Sequence, residues 1–232
     1  MPIGVIVNVS AVAIGGIIGY LLRKRFPKCW IDTLPLIFGL CATTMGISFI
    51  IKLNNLSALV LAMIIGTMIG EYFQIEDRIS TSITKLTQAM PSAKMSPEQM
   101  EMFTAILVLF CASGTGIFGA MDAGINGDHS VLFAKAILDF FTAIIFGITL
   151  GIAVSFIAIP QGIIQLILFF AATFIVPLIT ETMNGDFKAC GGVITLAVGF
   201  KMLNIQKFKV INMLPAIILI LPFSALWTRF MA

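Results

Sequence analysis

Eight apolar stretches, each near the roughly 20 residues that carry an α-helix across a bilayer, follow one another along this chain. They cover about 3–22, 33–51, 56–73, 98–120, 130–157, 161–180, 189–203 and 210–229. In hydrocarbon every backbone N–H and C=O must pair within its own segment, so each stretch is expected to be helical. Composition argues against a soluble fold: 59% of the 232 residues are apolar and 11% are charged, whereas soluble domains carry about 25% charged residues. The expected fold class is all-α, a polytopic helical membrane protein in one transmembrane domain, 1–232, whose first partner is the lipid bilayer. The net charge of +3 says little about other partners, because the placement of Lys and Arg matters more than their sum. No basic patch or stacking platform suggests nucleic acid.

Placement does orient the chain. Arg23, Lys24, Arg25 and Lys28 follow the first stretch, Arg78, Lys85 and Lys94 the third, and Lys201, Lys207 and Lys209 the seventh. In an eight-helix arrangement these ten lie on one side; Lys52, Lys188 and Arg229 lie on the other, and Lys135 falls within a helix. The positive-inside rule then puts both termini outside. The first stretch lacks a basic leader and a small-residue cleavage site, so it reads as a membrane helix rather than a signal peptide. In the long connection from Glu71 to Glu98, Ile75, Ile79, Ile83 and Leu86 recur at helical spacing, predicting an interfacial amphipathic segment over 75–90. Ser96 with Gln99 forms a capping box, and Pro97 suits a first helical position.

Internal repeats accompany these segments. "MIIGTMIG" (63–70) resembles "IIFGITLG" (144–151), with glycines four apart, a spacing shared by Gly15 and Gly19. "GLCATTMG" (39–46) resembles "GVITLAVG" (192–199), with glycines seven apart. Duplicated helix units, some inverted, are typical of transporter folds. Chance similarity of Gly-rich helices is the bland account, and tight packing within one chain or a homodimer explains the GxxxG spacing without any substrate; a homo-oligomer is the expected assembly.

Polar residues are scarce enough to weigh singly. "DAGINGD" reads as an outer loop, with Asp122, Asn126 and Asp128 solvated there and Asp128 or Ser130 capping the fifth helix. Lys135 and Asp139 are four apart and share a helix face. With a start near 130, Asp139 lies about 13 Å along its helix, close to the midplane. A charge there costs at least roughly 2.5–3.5 kcal/mol. Aspartate is too short to snorkel, so it must face the protein interior or water, pair with Lys135, or carry a proton. A local ion pair that locks helix packing is the structural account; an ion, proton or substrate site is the functional one. Asn8 in the first helix and Asn212, three before Pro215, are further helix-borne polar groups that could bridge helices or help bind a cation. "TETMNGDFKACGG" reads as an outer connection before the seventh helix. The cysteines at 29, 41, 111 and 190 show no metal-ligand spacing, Cys41 and Cys111 reading as small buried hydrophobes, and His129 is the sole histidine. No metal, cofactor or enzyme constellation is expected.

"IVNVSAVAIGGIIGYLL", "GAMDAGINGDHSVLFAKAILD", "ACGGVITLAVGF" and "VINMLPAIIL" resemble a family of bacterial inner-membrane proteins known as domain of unknown function 554. The resemblance covers essentially the whole chain. Its most specific part is an outer-loop pattern matched by Gly127, Asp128, Ser130, Ala134, Lys135, Leu138 and Asp139. Members usually carry Gln-Asp-Gly where this chain has Met121, Asp122, Ala123 and Gly124. The resemblance implies a helical membrane protein and supplies no activity. From the residues, the expected function is that of a secondary transporter or ion-coupled permease for a small solute or ion. Lys135, Asp139, Asn8, Asn212, Asp122 and Asp128 are the candidate polar pathway. A passive channel and a non-transporting scaffold or sensor are the alternatives.

Overall fold

Residues 1–23, 28–79, 81, 97–111, 113–174, 176–206 and 208–231 are described by a computed structural model. Every regular element among them is helical: α1 Ile3–Leu22, α2 Lys28–Ile50, α3 Leu56–Tyr72, α4 Pro97–Cys111, α5 Gly114–Asn126, α6 Ser130–Leu150, α7 Ala158–Thr173, α8 Glu181–Met202 and α9 Pro215–Met231. Short 3-10 turns occupy Gly151–Ile157, Val176–Leu178 and Val210–Met213. The stretches 3–22, 130–173 and 210–230 are long and apolar enough to cross a membrane, and Leu36–Ile50 and Leu56–Tyr72 are shorter apolar helices. The predicted 75–90 segment is helical at 75–79; most of its remainder, with Ser96, lies outside the described residues.

Several boundaries differ from expectation for local reasons. The stretch expected as one helix over 98–120 is two, because Ser113 is extended (φ −65°, ψ 126°) and the Gly-rich start of α5 is a poor helix former. α5 then runs through the residues read as an outer loop and ends at Gly127, whose φ of +66° suits a helix C-terminus that only glycine adopts freely. The connection to α6 is thus 127–129 alone. The expected 130–157 helix ends at Leu150, where Gly151 takes φ +74° and the chain tightens into a 3-10 turn. α8 starts eight residues before the expected 189, since Thr180 Oγ1 accepts from Met183 N at 3.3 Å and Glu181 suits the first turn. Pro215 opens α9, the position where its missing N–H costs least, rather than lying inside a helix.

Burial in the helices runs opposite to that in a soluble protein. α1 buries Gly4, Asn8, Gly15, Gly16 and Gly19 with Val5 and Val12, while Ile6, Ile14, Ile17 and Leu21 are exposed. Small and polar groups face protein and large aliphatic ones face outward, which is favourable only if hydrocarbon surrounds the fold.

The chain falls into two compact units, 1–33 with 77–173 and 34–76 with 174–232. In the first, α1 packs along α6. A Cβ on Gly15 would meet Phe140 O at 2.5 Å and Ala143 Cβ at 3.0 Å, and one on Gly19 would meet Gly147 Cα at 2.9 Å. The contacts advance together along both helices, so the two run parallel. Two apolar cores form: one joins Val12 to Phe103, Phe110, Ala143 and Ile157, the other joins Val5 to Ala123, Leu132 and Phe169.

In the second unit, the two glycine-seven-apart repeats lie against each other. A Cβ on Gly46 would meet Gly192 O at 2.7 Å, and one on Gly39 would meet Leu203 Cγ at 2.7 Å, so α2 and α8 are antiparallel. α3 likewise packs on α9, Gly66 against the Ala216 backbone and Gly70 against that of Asn212.

Candidate functional site

The polar cluster of the first unit lies between its two apolar cores. α1 places Asn8 between Val5 and Val12, and α6 places Lys135 and Asp139 one turn apart. α7 adds Gln161 and Gln165, also four apart on one face. Asn8 and Gln161 are 0% exposed, Gln165 2%, Lys135 4% and Asp139 8%, so none reaches water or lipid headgroups. A charged pair at this burial is tolerable only if partnered and hydrogen-bonded.

The partners are present. Lys135 Nζ donates to both carboxylate oxygens of Asp139, at 2.8 and 2.6 Å. Asn8 Nδ2 donates to Asp139 Oδ2 at 2.8 Å, and Gln161 Nε2 to the same oxygen at 3.0 Å. Asn8 Oδ1 accepts from Gln161 Nε2 at 2.6 Å and Gln165 Nε2 at 2.9 Å. Three helices are thereby tied to one carboxylate. Gln161 Oε1 and Gln165 Oε1 are buried and accept no hydrogen bond among the described residues. Gly116 on α5 closes the wall: a Cβ there would sit 2.8 Å from Lys135 Cε and 3.2 Å from Gln165 Nε2. The Phe110 ring lies 5.9 Å from Lys135 Nζ.

Of the residues expected to act together, Lys135, Asp139 and Asn8 do converge. Asp122 is not a solvated loop residue; it is 0% exposed in the last turn of α5, where Asn126 Nδ2 donates to its Oδ1. Asp128 stays in the connection, and its Oδ1 accepts from Ser130 N at 3.0 Å, but the N-cap position of α6 is His129 rather than the expected Asp128 or Ser130. His129 is half-buried, its ring stacked on Phe169 with centroids 6.5 Å apart. Asn212 belongs to the second unit. Its Oδ1 accepts from Glu76 N at 2.8 Å while Ile211 N donates to Glu76 Oε2 at 3.1 Å, a reciprocal tie between two chain segments. Cys111 is buried as expected, and Cys41 is exposed on α2.

The glutamines escaped the sequence reading, although "IPQGIIQL" repeats the signal that singled out Lys135 and Asp139, two polar residues four apart in an apolar run. Asp186 escaped too, because its segment read as a connection. It is 0% exposed on α8 and accepts from Asn54 N and Asn55 N, both at 2.8 Å, Asn55 Nδ2 at 2.9 Å and Ser224 Oγ at 2.6 Å. Beside it a cavity of about 510 Å³ is lined by Lys52, Asn54, Glu181, Asn184 and Lys188 among others.

The chain is similar to an uncharacterized protein of Escherichia coli (strain K12), YqgA, with 47% identity over 235 residues and full coverage of both. It is also similar to an uncharacterized membrane protein of Bacillus subtilis (strain 168), YdfK, with 28% identity over 224 residues and 93% of each covered. No solved structure matches it. A membrane protein is what its inverted burial and the second relative's description both support. The family model described as "Protein of unknown function (DUF554)" matches residues 3–225, and the chain belongs to that family.

Proposed function

We propose that the protein is a secondary transporter, an ion-coupled permease that moves a small solute or ion across the bacterial inner membrane. Both termini lie outside, the working form is a homo-oligomer, and the chain carries no enzymatic activity of its own. The observation that supports transport is the pairing of a buried ion pair with two buried carbonyl oxygens, Gln161 Oε1 and Gln165 Oε1, that have no donor among the described residues. A polar network whose only role is to lock helices gains nothing by leaving acceptors bare, and each bare acceptor costs about 1–3 kcal/mol. Intramembrane ionisable groups and their neighbours typically mark the path of an ion or substrate. The scaffold reading draws support from the four hydrogen bonds around Asp139, which seal it from its surroundings.

The test is transport in proteoliposomes on solid-supported membranes, with jumps of LiCl, NaCl and KCl and of amino acids, amines and carboxylates. Wild type should give a transient current with at least one of these, and Asp139→Asn should give none while keeping its helical circular dichroism. A folded Asp139→Asn protein that transports like wild type would sink the reading, as would a wild type silent to the whole panel.

A further inference from the structure

The second unit holds a polar cavity that the transport reading does not use. Its walls are the connection 51–55 between α2 and α3 and the first two turns of α8, and its volume is about 510 Å³. We infer that this cavity binds a small zwitterion, a ligand carrying one ammonium and one anionic oxygen group, with the anionic end on Lys52 and Lys188 and the ammonium on Glu181. A free amino acid and the phosphoethanolamine headgroup of a lipid share that chemistry. The inference stands on the second unit alone and holds whether or not the protein transports anything.

The lining sets the class of ligand. Ligand cavities are usually mostly apolar, with a few placed polar groups. Here every lining residue except Gly185 has a polar side chain, and both signs of charge are present. Lys52 lies in the connection and Glu181 opens α8, and both are exposed. Among the described residues neither pairs with an opposite charge; Lys52 Nζ lies 5.6 Å from the Phe49 ring instead. Opposite charges that line one cavity without meeting are both satisfied by a ligand that bears the complement of each. Lys188, in the second turn of α8 and 8% exposed, brings a second ammonium to the same cavity. A plain carboxylate would meet repulsion from Glu181, and a plain amine would meet it from two lysines.

The charge count points the same way. Asp186 is saturated by four donors and is not free to hold a ligand, but its charge stays beside the cavity. Lys52 and Lys188 then balance Glu181 and Asp186. A net-neutral ligand keeps that balance. A simple anion or cation would leave an uncompensated charge next to Asp186 at 0% exposure and Lys188 at 8%.

The cavity is shaped before any ligand arrives. Asn54 N and Asn55 N both donate to Asp186 Oδ1 at 2.8 Å, and Asn54 Nδ2 donates to Thr182 O at 3.4 Å, so the connection is strapped to α8. A Cβ on Gly185 would meet Lys52 O at 2.6 Å and run into Asn54 Nδ2, so a glycine is what lets the two walls approach this closely. A preformed site loses less affinity to ordering.

Delipidated full-length protein in dodecylmaltoside would be screened by thermal unfolding against the standard L-amino acids, glycerophosphoethanolamine and inorganic phosphate, and hits titrated calorimetrically. At least one amino acid, or glycerophosphoethanolamine, should bind saturably, and which of them does so identifies the source. The deaminated acid and the decarboxylated amine of an amino-acid hit, or glycerophosphate for the headgroup, should bind at least about tenfold more weakly, since each leaves a charged group of the site unmatched. Lys52→Gln and Glu181→Gln should each weaken the hit about tenfold, the loss of one charge-assisted hydrogen bond. Both side chains are exposed, so both variants should unfold at the wild-type temperature without ligand; should one misfold, the other carries the test. Silence across the panel overturns the inference. So does inorganic phosphate, the deaminated acid or the amine binding as tightly as the zwitterion, or either folded variant binding like wild type. A hit that Asp139→Asn abolishes and Lys52→Gln leaves intact belongs to the first unit's cluster, which overturns the inference and leaves transport standing. Binding here without any flux does the reverse.

Discussion

Deleting the Lys135 ammonium exposes the energetics of the cluster. Lys135→Met keeps the aliphatic stem and removes the two contacts at 2.6 and 2.8 Å, leaving Asp139 at 8% exposure with donors from Asn8 and Gln161 alone. Removing one partner of a buried pair costs about 3–5 kcal/mol. The two remaining hydrogen bonds temper this by roughly 0.6 kcal/mol each, the average measured inside a membrane protein. The net loss should therefore be about 2–4 kcal/mol. Removing the carboxylate as well, in Lys135→Met/Asp139→Asn, leaves no charge to bury and should bring stability to within about 1 kcal/mol of wild type, since neutral replacements of buried pairs are often harmless. The coupling from the full double-mutant cycle is then favourable by at least about 1 kcal/mol. Reversible unfolding in mixed SDS and dodecylmaltoside micelles, followed by circular dichroism, measures all four proteins. A Lys135→Met variant within 1 kcal/mol of wild type, or a double variant losing the sum of its singles, would refute the claim that the pair is buried and mutually dependent.

Two packing predictions use the same unfolding assay. Gly19→Val should destabilise by at least about 1–3 kcal/mol, because its Cβ would run into Ile144 O and the Gly147 Cα at 2.9 Å, atoms of backbone that cannot swing aside. A Gly19→Val protein as stable as wild type would mean that α1 and α6 do not meet there. Asp186→Ala should cost about 3 kcal/mol or more, since four donors lose a charged acceptor at 0% exposure. It should also speed proteolysis at the Lys52–Asn55 connection, and unchanged cleavage there would contradict the role given to Asp186.

The helices were legible because their signal is cumulative. Runs such as Ile3–Leu22 are apolar at almost every position, and backbone pairing in hydrocarbon admits one solution. The boundaries were legible only where a local rule dominates. Pro97 marked the start of α4, whereas α8 was misplaced because Asn184, Gly185 and Asp186 look like turn formers. A charged residue reads as solvated until its partners are known, and the partners of Asp186 are backbone amides of Asn54 and Asn55 that no spacing rule connects to it. The candidate site was half legible for the same reason. Lys135 and Asp139 announce each other at one turn's separation, and so do Gln161 and Gln165, but that the two pairs meet around Asn8 is a tertiary fact.

Two of the buried aspartates, Asp139 and Asp186, face one physical problem, a short carboxylate with no route to water, and they solve it differently. Asp186 takes four donors from backbone amides, an amide side chain and a hydroxyl. None of those donors titrates, and the two backbone amides are fixed by the chain, so the arrangement is rigid and complete. Asp139 takes its closest donor from Lys135, an ammonium on a flexible stem, and shares its network with Gln161 and Gln165, whose Oε1 atoms lack donors among the described residues. A lock favours the first arrangement, because stability rewards saturation and immobility. A site that must fill and empty is better served by the second, in which the counter-charge rides on a mobile side chain and neighbouring acceptors are not yet committed to donors. On that contrast Asp186→Asn should weaken the fold without touching any flux the protein carries, and Asp139→Asn should stop the flux in a protein that still folds.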